Sequence, residues 1–164
     1  MPNPRPDLKA MLPGELDEFV ASLGQPLYRA RQILDWLYAK GARAPGEMTN
    51  LSKALRAQLA ERARITSLHQ IDCRESTTGE AVKFLFELPS GKRIESVLIV
   101  DGDRRTVCLS SQVGCPLDCK FCATGQMGLI ANLEAGQIID QLLQVSQFVR
   151  ERGERVTNVV LMGM

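Results

Sequence analysis

The sequence predicts an α/β protein in three parts: a helical domain, a segment of β-hairpins, and the opening of a parallel α/β layer. Three observations carry this. Apolar residues recur at helical spacing as far as Arg62, and from Ser67 they alternate between turn-rich pieces. Beyond residue 105 a strand, a cysteine-rich loop, a helix and a second strand follow in that order.

Residues 1–10 form a Pro-rich stretch expected to be a flexible tail, and 11–66 read as the helical domain. Leu12-Pro13-Gly14 leads into a helix over Glu15–Leu23, with Leu16, Phe19, Val20 and Leu23 on one face and Gly24 as the stop. Pro26 opens Leu27–Ala39, whose stripe is Leu27, Ala30, Ile33, Leu34 and Leu37. A third helix runs from Asn50 or Ser52 through Arg62, with Leu51, Leu55 and Leu59 four apart. Periodicity alone says only that these helices pack together.

Residues 67–104 read as hairpins. Strands are expected over Ser67–Cys73, Ala81–Leu88 and Arg93–Val100, and Thr106–Ser110 follows as the first strand of 105–164. The pieces between them, such as Thr77-Thr78-Gly79-Glu80 and Pro89-Ser90-Gly91-Lys92, carry turn residues. Val82, Phe84 and Phe86 alternate with Lys83, Leu85 and Glu87, as in a strand with one buried face. A helix over Leu133–Arg150 presents Ile138, Leu142, Val145 and Val149, and Arg155–Met162 reads as a short buried strand. Strand, helix, strand is a βαβ unit with a right-handed crossover. A parallel sheet needs further strands and helices, so the chain is expected to stop inside an α/β domain, at Met164.

Composition narrows the class. The 164 residues are 45% hydrophobic and 24% charged, ordinary for a globular domain. No apolar run approaches the length that spans a bilayer, and the N-terminus lacks a signal-peptide core, so the expectation is cytoplasmic with no membrane partner. A net charge of +1 gives no bulk signal for nucleic acid. Residues 1–64 hold ten Lys/Arg against seven Asp/Glu, a basic lean that suits RNA and a merely solvated face alike.

Five cysteines, three of them within eight residues, do not make a secreted disulfide framework. Clustered thiols in a reducing compartment are metal ligands or catalysts. Cys115, Cys119 and Cys122 stand in a C-x₃-C-x₂-C pattern. Three thiolates on one loop can hold three corners of a [4Fe–4S] cluster and leave the fourth iron open. The amino and carboxylate groups of S-adenosylmethionine (SAM) suit that corner. The alternative is zinc, with Cys108, Cys73 or the one histidine, His69, as fourth ligand. Zinc ribbons pair two C-x₂-C elements about 12 to 20 residues apart, and the chain has no second pair, which favours the cluster.

With Phe121 before the third cysteine, Cys115–Cys122 resembles the C-x₃-C-x-aromatic-C signature of the radical SAM superfamily. The flanks Val107-Cys108-Leu109-Ser110-Ser111-Gln112-Val113-Gly114 and Ala123-Thr124-Gly125-Gln126-Met127-Gly128 are similar to those of the dual-specificity RNA (adenine-C2) methyltransferases. So are Tyr28–Tyr38 and Glu47–Leu51, which resemble that family's helical accessory domain. The resemblance implies an N-terminal accessory domain over 11–66 as an RNA-binding candidate, a hairpin linker, and over 105–164 the first part of a radical SAM partial (β/α) barrel.

It also implies roles. Cys115, Cys119 and Cys122 would bind the cluster, Glu95 would be the proton acceptor, and Cys108 the thiol that resolves a covalent RNA–protein link. Gly163 and Met164 would stand at the edge of the SAM site. In that family one SAM methylates a further cysteine near the C-terminus. A second gives the 5′-deoxyadenosyl radical that activates this methyl for C2 of adenine. Resolution leaves a disulfide that must be re-reduced. The expected partners are ribosomal and transfer RNA and an external electron donor, and the expected state is a monomer. The methyl-carrying cysteine is absent, so the 164-residue chain is expected to be inactive alone. Two other functions share these residues: methylation at adenine C8, and a non-catalytic, metal-stabilised RNA-binding module.

Overall fold

The computed structural model describes residues 5–161, in two compact units that divide between Ser67 and Leu68.

The first unit is helical: α1 (Pro13–Ser22), α2 (Tyr28–Leu34) continued by a π turn over Asp35–Ala39, and α3 (Lys53–Arg62). The starts of α1 and α3 have local causes. Pro13 enters α1 at a position that needs no N–H, and the Glu15 carboxylate accepts from the Leu12 N–H at 2.7 Å. Ser52 caps α3 by accepting from the Leu55 N–H at 3.2 Å. The stripes meet in a core of Leu16, Val20, Ile33, Leu37, Met48, Leu55 and Leu59. Residues 7–9, within the stretch 1–10 expected as a tail, pack into this unit. Asp7, Leu8 and Lys9 are buried, Leu8 belongs to the core, and the Leu8 N–H donates to the Arg64 carbonyl at 2.9 Å. The Asp7 carboxylate accepts from the Thr66 N–H at 3.1 Å and from the Thr66 hydroxyl, and Lys9 Nζ donates to the Thr66 carbonyl at 2.7 Å. This clasp helps satisfy these buried polar groups, and composition does not reveal it.

The second unit is a five-stranded sheet in the order β1 (His69–Glu75), β2 (Ala81–Glu87), β3 (Arg93–Asp101), β4 (Arg104–Leu109), β7 (Asn158–Leu161). The first four strands form an antiparallel meander, and β7 joins β4 in parallel through α5 (Ala135–Glu151). Val82, Phe84, Phe86, Leu98 and Val107 share a core with Val145 and Val149 of α5. Phe148 meets Phe84 edge-on at 5.0 Å. The crossover is closed at its far end, where Arg105 forks onto Glu154 and its carbonyl accepts from the Thr157 N–H at 2.9 Å.

The strand expected to be buried over Arg155–Met162 is not. Val159 and Leu161 are 46% and 61% exposed, because β7 is the edge of the sheet among the described residues. Two further elements lacked a sequence signal of their own. Gln112–Gly114 (β5) and Leu129–Asn132 (β6) pair as a separate antiparallel ribbon, and between them lies the short helix α4 (Ala123–Gln126).

Candidate cluster loop and proton-accepting face

The ribbon β5–β6 is the frame on which the cysteine loop hangs. Gly114 turns the chain at φ +77°, and the Cys115 N–H donates to the Gly128 carbonyl at 3.1 Å, which closes the loop at its base. A Cβ on Gly114 would stand 1.9 Å from the Gly128 oxygen, so no other residue fits this crossing. Higher in the loop, Asp118 adopts φ 49°, and the Cys122 N–H donates to the Cys119 carbonyl at 3.0 Å. Gly125 of α4 packs against the Cys119 backbone, where a Cβ would approach its N and O at 2.9 and 3.0 Å. The loop is therefore folded on itself by main-chain contacts, and its side chains are left to other work. Cys115 is buried, Cys119 and Cys122 are half-buried, and Phe121 stands 94% exposed.

All five cysteines are thiols. The donor set of the triplet, three thiols on one short loop, fits a cluster held at three corners. Among the described residues no three His, Cys, Asp or Glu side chains are drawn together around one metal position. Cys73 and His69 lie on β1, three strands from β4, which is about 14 Å at ordinary strand spacing. Cys73 also pairs with Phe84, on the sheet face turned to α5, and burial pushes its thiol pKa up. Neither residue is placed as a fourth ligand to the loop.

Glu95 lies on the opposite face of β3. Its cross-strand partner is Leu85, and its diagonal neighbour Lys83 reaches it in an ion pair of 3.0 Å, both side chains being partly exposed. A cleft of about 430 Å³ is lined by Lys83, Glu95, Ser110, Gly114, Thr124 and Met127, among others. The cleft thus runs from Glu95 to Gly114, Ala123, Thr124 and Met127, which flank the cysteine loop, while Cys115, Cys119 and Cys122 are not part of its lining. Cys108 lies opposite Val97 in the ladder and so shares Glu95's face, half-buried and outside the cleft's lining. Gly163 and Met164 lie outside the described residues. The sequence reading missed four buried polar residues beneath the site: Ser96, Ser110, Asp140 and Gln141. Asp140 and Gln141 were visible as polar residues beside the stripe of Ile138, Leu142 and Val145.

Residues 7–65 match the family model of the ribosomal RNA large subunit methyltransferase N-terminal domain. The chain superposes on the crystal structure of a radical SAM methyltransferase from Sphaerobacter thermophilus with a TM-score of 0.89 and 45% identity, covering 97% of this chain and 47% of that one. A probable dual-specificity RNA methyltransferase, RlmN 2, of Protochlamydia amoebophila is 46% identical over 92% of the chain and 42% of its own length. A probable RlmN of Thermotoga neapolitana is 46% identical over 96% of the chain and 46% of its own length. The chain spans less than half the length of these relatives. Over the part covered, the fold is that of a radical SAM methyltransferase. The chain is similar, over the part it covers, to the dual-specificity RNA methyltransferases named RlmN.

Proposed function

We propose that this chain is the cluster-bearing and RNA-engaging part of a radical SAM methyltransferase that acts on C2 of adenine in ribosomal and transfer RNA. The observation that carries the reading is the cleft that Glu95 shares with the residues flanking the cysteine loop, on a sheet that matches a radical SAM methyltransferase. Cys115, Cys119 and Cys122 would hold a [4Fe–4S] cluster, with SAM bound beside it. Bound there, cluster and SAM would supply the radical that activates a methyl carbon.

The chain's own residues do the rest. Lys83 holds the Glu95 carboxylate at the cleft, where it accepts the proton that leaves C2. The Cys108 thiolate attacks the sulfur of the methyl-carrying cysteine. An S–S bond forms as the C–S bond breaks, the carbon keeps that electron pair and takes a proton from solvent to become the methyl group, and an external reductant restores the thiols. Residues 11–66, with their basic lean, engage the RNA. No helix among the described residues is long and apolar enough to cross a membrane, and a cytoplasmic monomer supplied by an external electron donor is part of the proposal.

Anaerobic reconstitution with iron and sulfide tests it. The account expects broad visible absorption, about four irons per chain, and a change in the spectrum of the reduced cluster when SAM is added. A colourless protein holding one zinc would support the non-catalytic module and overturn the reading.

A further inference from the structure

A polar side chain buried on an apolar helix face must find partners. Helix α5 carries two in succession, Asp140 and Gln141, 2% and 0% exposed. Asp140 Oδ2 accepts from the Leu68 N–H at 2.6 Å and from Gln144 Nε2 at 2.8 Å, at the start of the sheet unit. Gln141 reaches elsewhere. Its Oε1 accepts from the Ser110 N–H at 3.0 Å and from the Ser96 hydroxyl at 2.8 Å. Its Nε2 donates to the Ser110 carbonyl at 3.0 Å and to the Gln137 carbonyl at 3.2 Å.

One side-chain amide thus takes both backbone groups of a single residue, as a neighbouring strand would. It does so at Ser110, where the chain has just left β4 for the ribbon and the cysteine loop. Ser110 passes the tie onward, because its hydroxyl donates to the Glu95 carbonyl at 2.6 Å. The backbone of the proton-acceptor candidate and the entry to the thiol loop therefore hang on the same amide.

We propose that Gln141 is a positioning residue: it substitutes for a strand at Ser110 and so fixes the base of the cysteine loop relative to Glu95. No nearby group duplicates it, since Gln144, one turn further along, serves the Leu68 carbonyl at 2.9 Å and Asp140. Only the iron readout of the test below rests on the proposed cluster.

The test compares Gln141→Met with Gln144→Met in the full chain. Both remove a partly or wholly buried amide from α5, but only the first touches Ser110. Amide exchange over 108–115 is read by mass spectrometry without metal, and iron per chain is read after anaerobic reconstitution. Gln141→Met is expected to speed exchange over 108–115 by about fivefold or more, the scale of a lost buried hydrogen bond, and to lower iron retention. Gln144→Met is expected to leave both near the parent's values at a similar loss of Tm. If methionine at 141 prevents folding, Gln141→Asn keeps the amide but withdraws it, and the same ordering is expected. Equal effects of the 141 and 144 variants, or unchanged exchange in the 141 variant, would overturn the proposal. Should the parent itself bind no iron, the cluster assignment fails while the exchange result still decides Gln141.

Discussion

Gly114 and Gly128 make a matched pair for measuring what the loop base contributes. Both sit at positive φ, +77° and +68°. A Cβ on Gly128 meets nothing within 4 Å, whereas one on Gly114 lands 1.9 Å from the Gly128 oxygen. Gly128→Ala therefore incurs the left-handed backbone penalty alone, about 1–2 kcal/mol. Gly114→Ala incurs the same penalty and must also push a backbone carbonyl aside by about 1 Å or more to reach a tolerable contact. That movement breaks the Cys115 N–H bond to Gly128, which adds about 1 kcal/mol, and overpacking adds about 1–3 kcal/mol more. The expected losses are about 1–2 kcal/mol for Gly128→Ala and about 3–6 kcal/mol for Gly114→Ala. Urea unfolding followed through the sheet unit, with iron retention alongside, reads both. Equal losses for the two variants would refute the claim that the crossing at Gly114 is closed by contact.

Three further outcomes are expected. Phe84→Ala should cost about 3–5 kcal/mol in urea unfolding, because the ring is fully buried against Phe148 and α5. The Arg105 hydrogen bond holds the Glu154 carboxyl below its usual range, opposed by desolvation and reinforced by the charges of Arg105 and Arg152. A depressed carboxylate stabilises the fold above the unfolded pKa and loses that contribution as pH falls through the folded one. A Tm–pH profile should thus drop less steeply on the acid side in Glu154→Gln than in the parent. Cys115→Ala, Cys119→Ala and Cys122→Ala should each lose most of the iron on reconstitution, whereas Cys73→Ala, on the far strand, should keep it.

Much of the molecule was legible because its elements obey one period at a time. The alternation from Val82 to Glu87 and the stripe from Ile138 to Val149 each name a buried face, and α5 lies against the strand faces so named. The clasp of Asp7 and Lys9 on Thr66 was not legible, since it joins residues nearly 60 positions apart by hydrogen bonds that leave no periodic trace. The ribbon β5–β6 escaped for a related reason: strands of three and four residues, split by the loop, are too short to show alternation. Exposure of β7 depends on what lies beside it in space, which four residues of apolar sequence do not record. At the site, the triplet announced itself by spacing. Glu95 and Cys108 came only by resemblance, because a glutamate and a cysteine in strands look like any others until the sheet places them on one face.

The most direct test of the central claim joins this chain, in place of the matching 47%, to the rest of the Sphaerobacter thermophilus relative. The reconstituted hybrid is incubated anaerobically with ribosomal RNA, SAM and reductant, and the nucleosides are analysed by mass spectrometry. The account predicts 2-methyladenosine, lost by about a hundredfold or more in Glu95→Gln, on the scale of a removed general base. An iron-loaded hybrid that makes 8-methyladenosine, or no methylated adenosine, would contradict it.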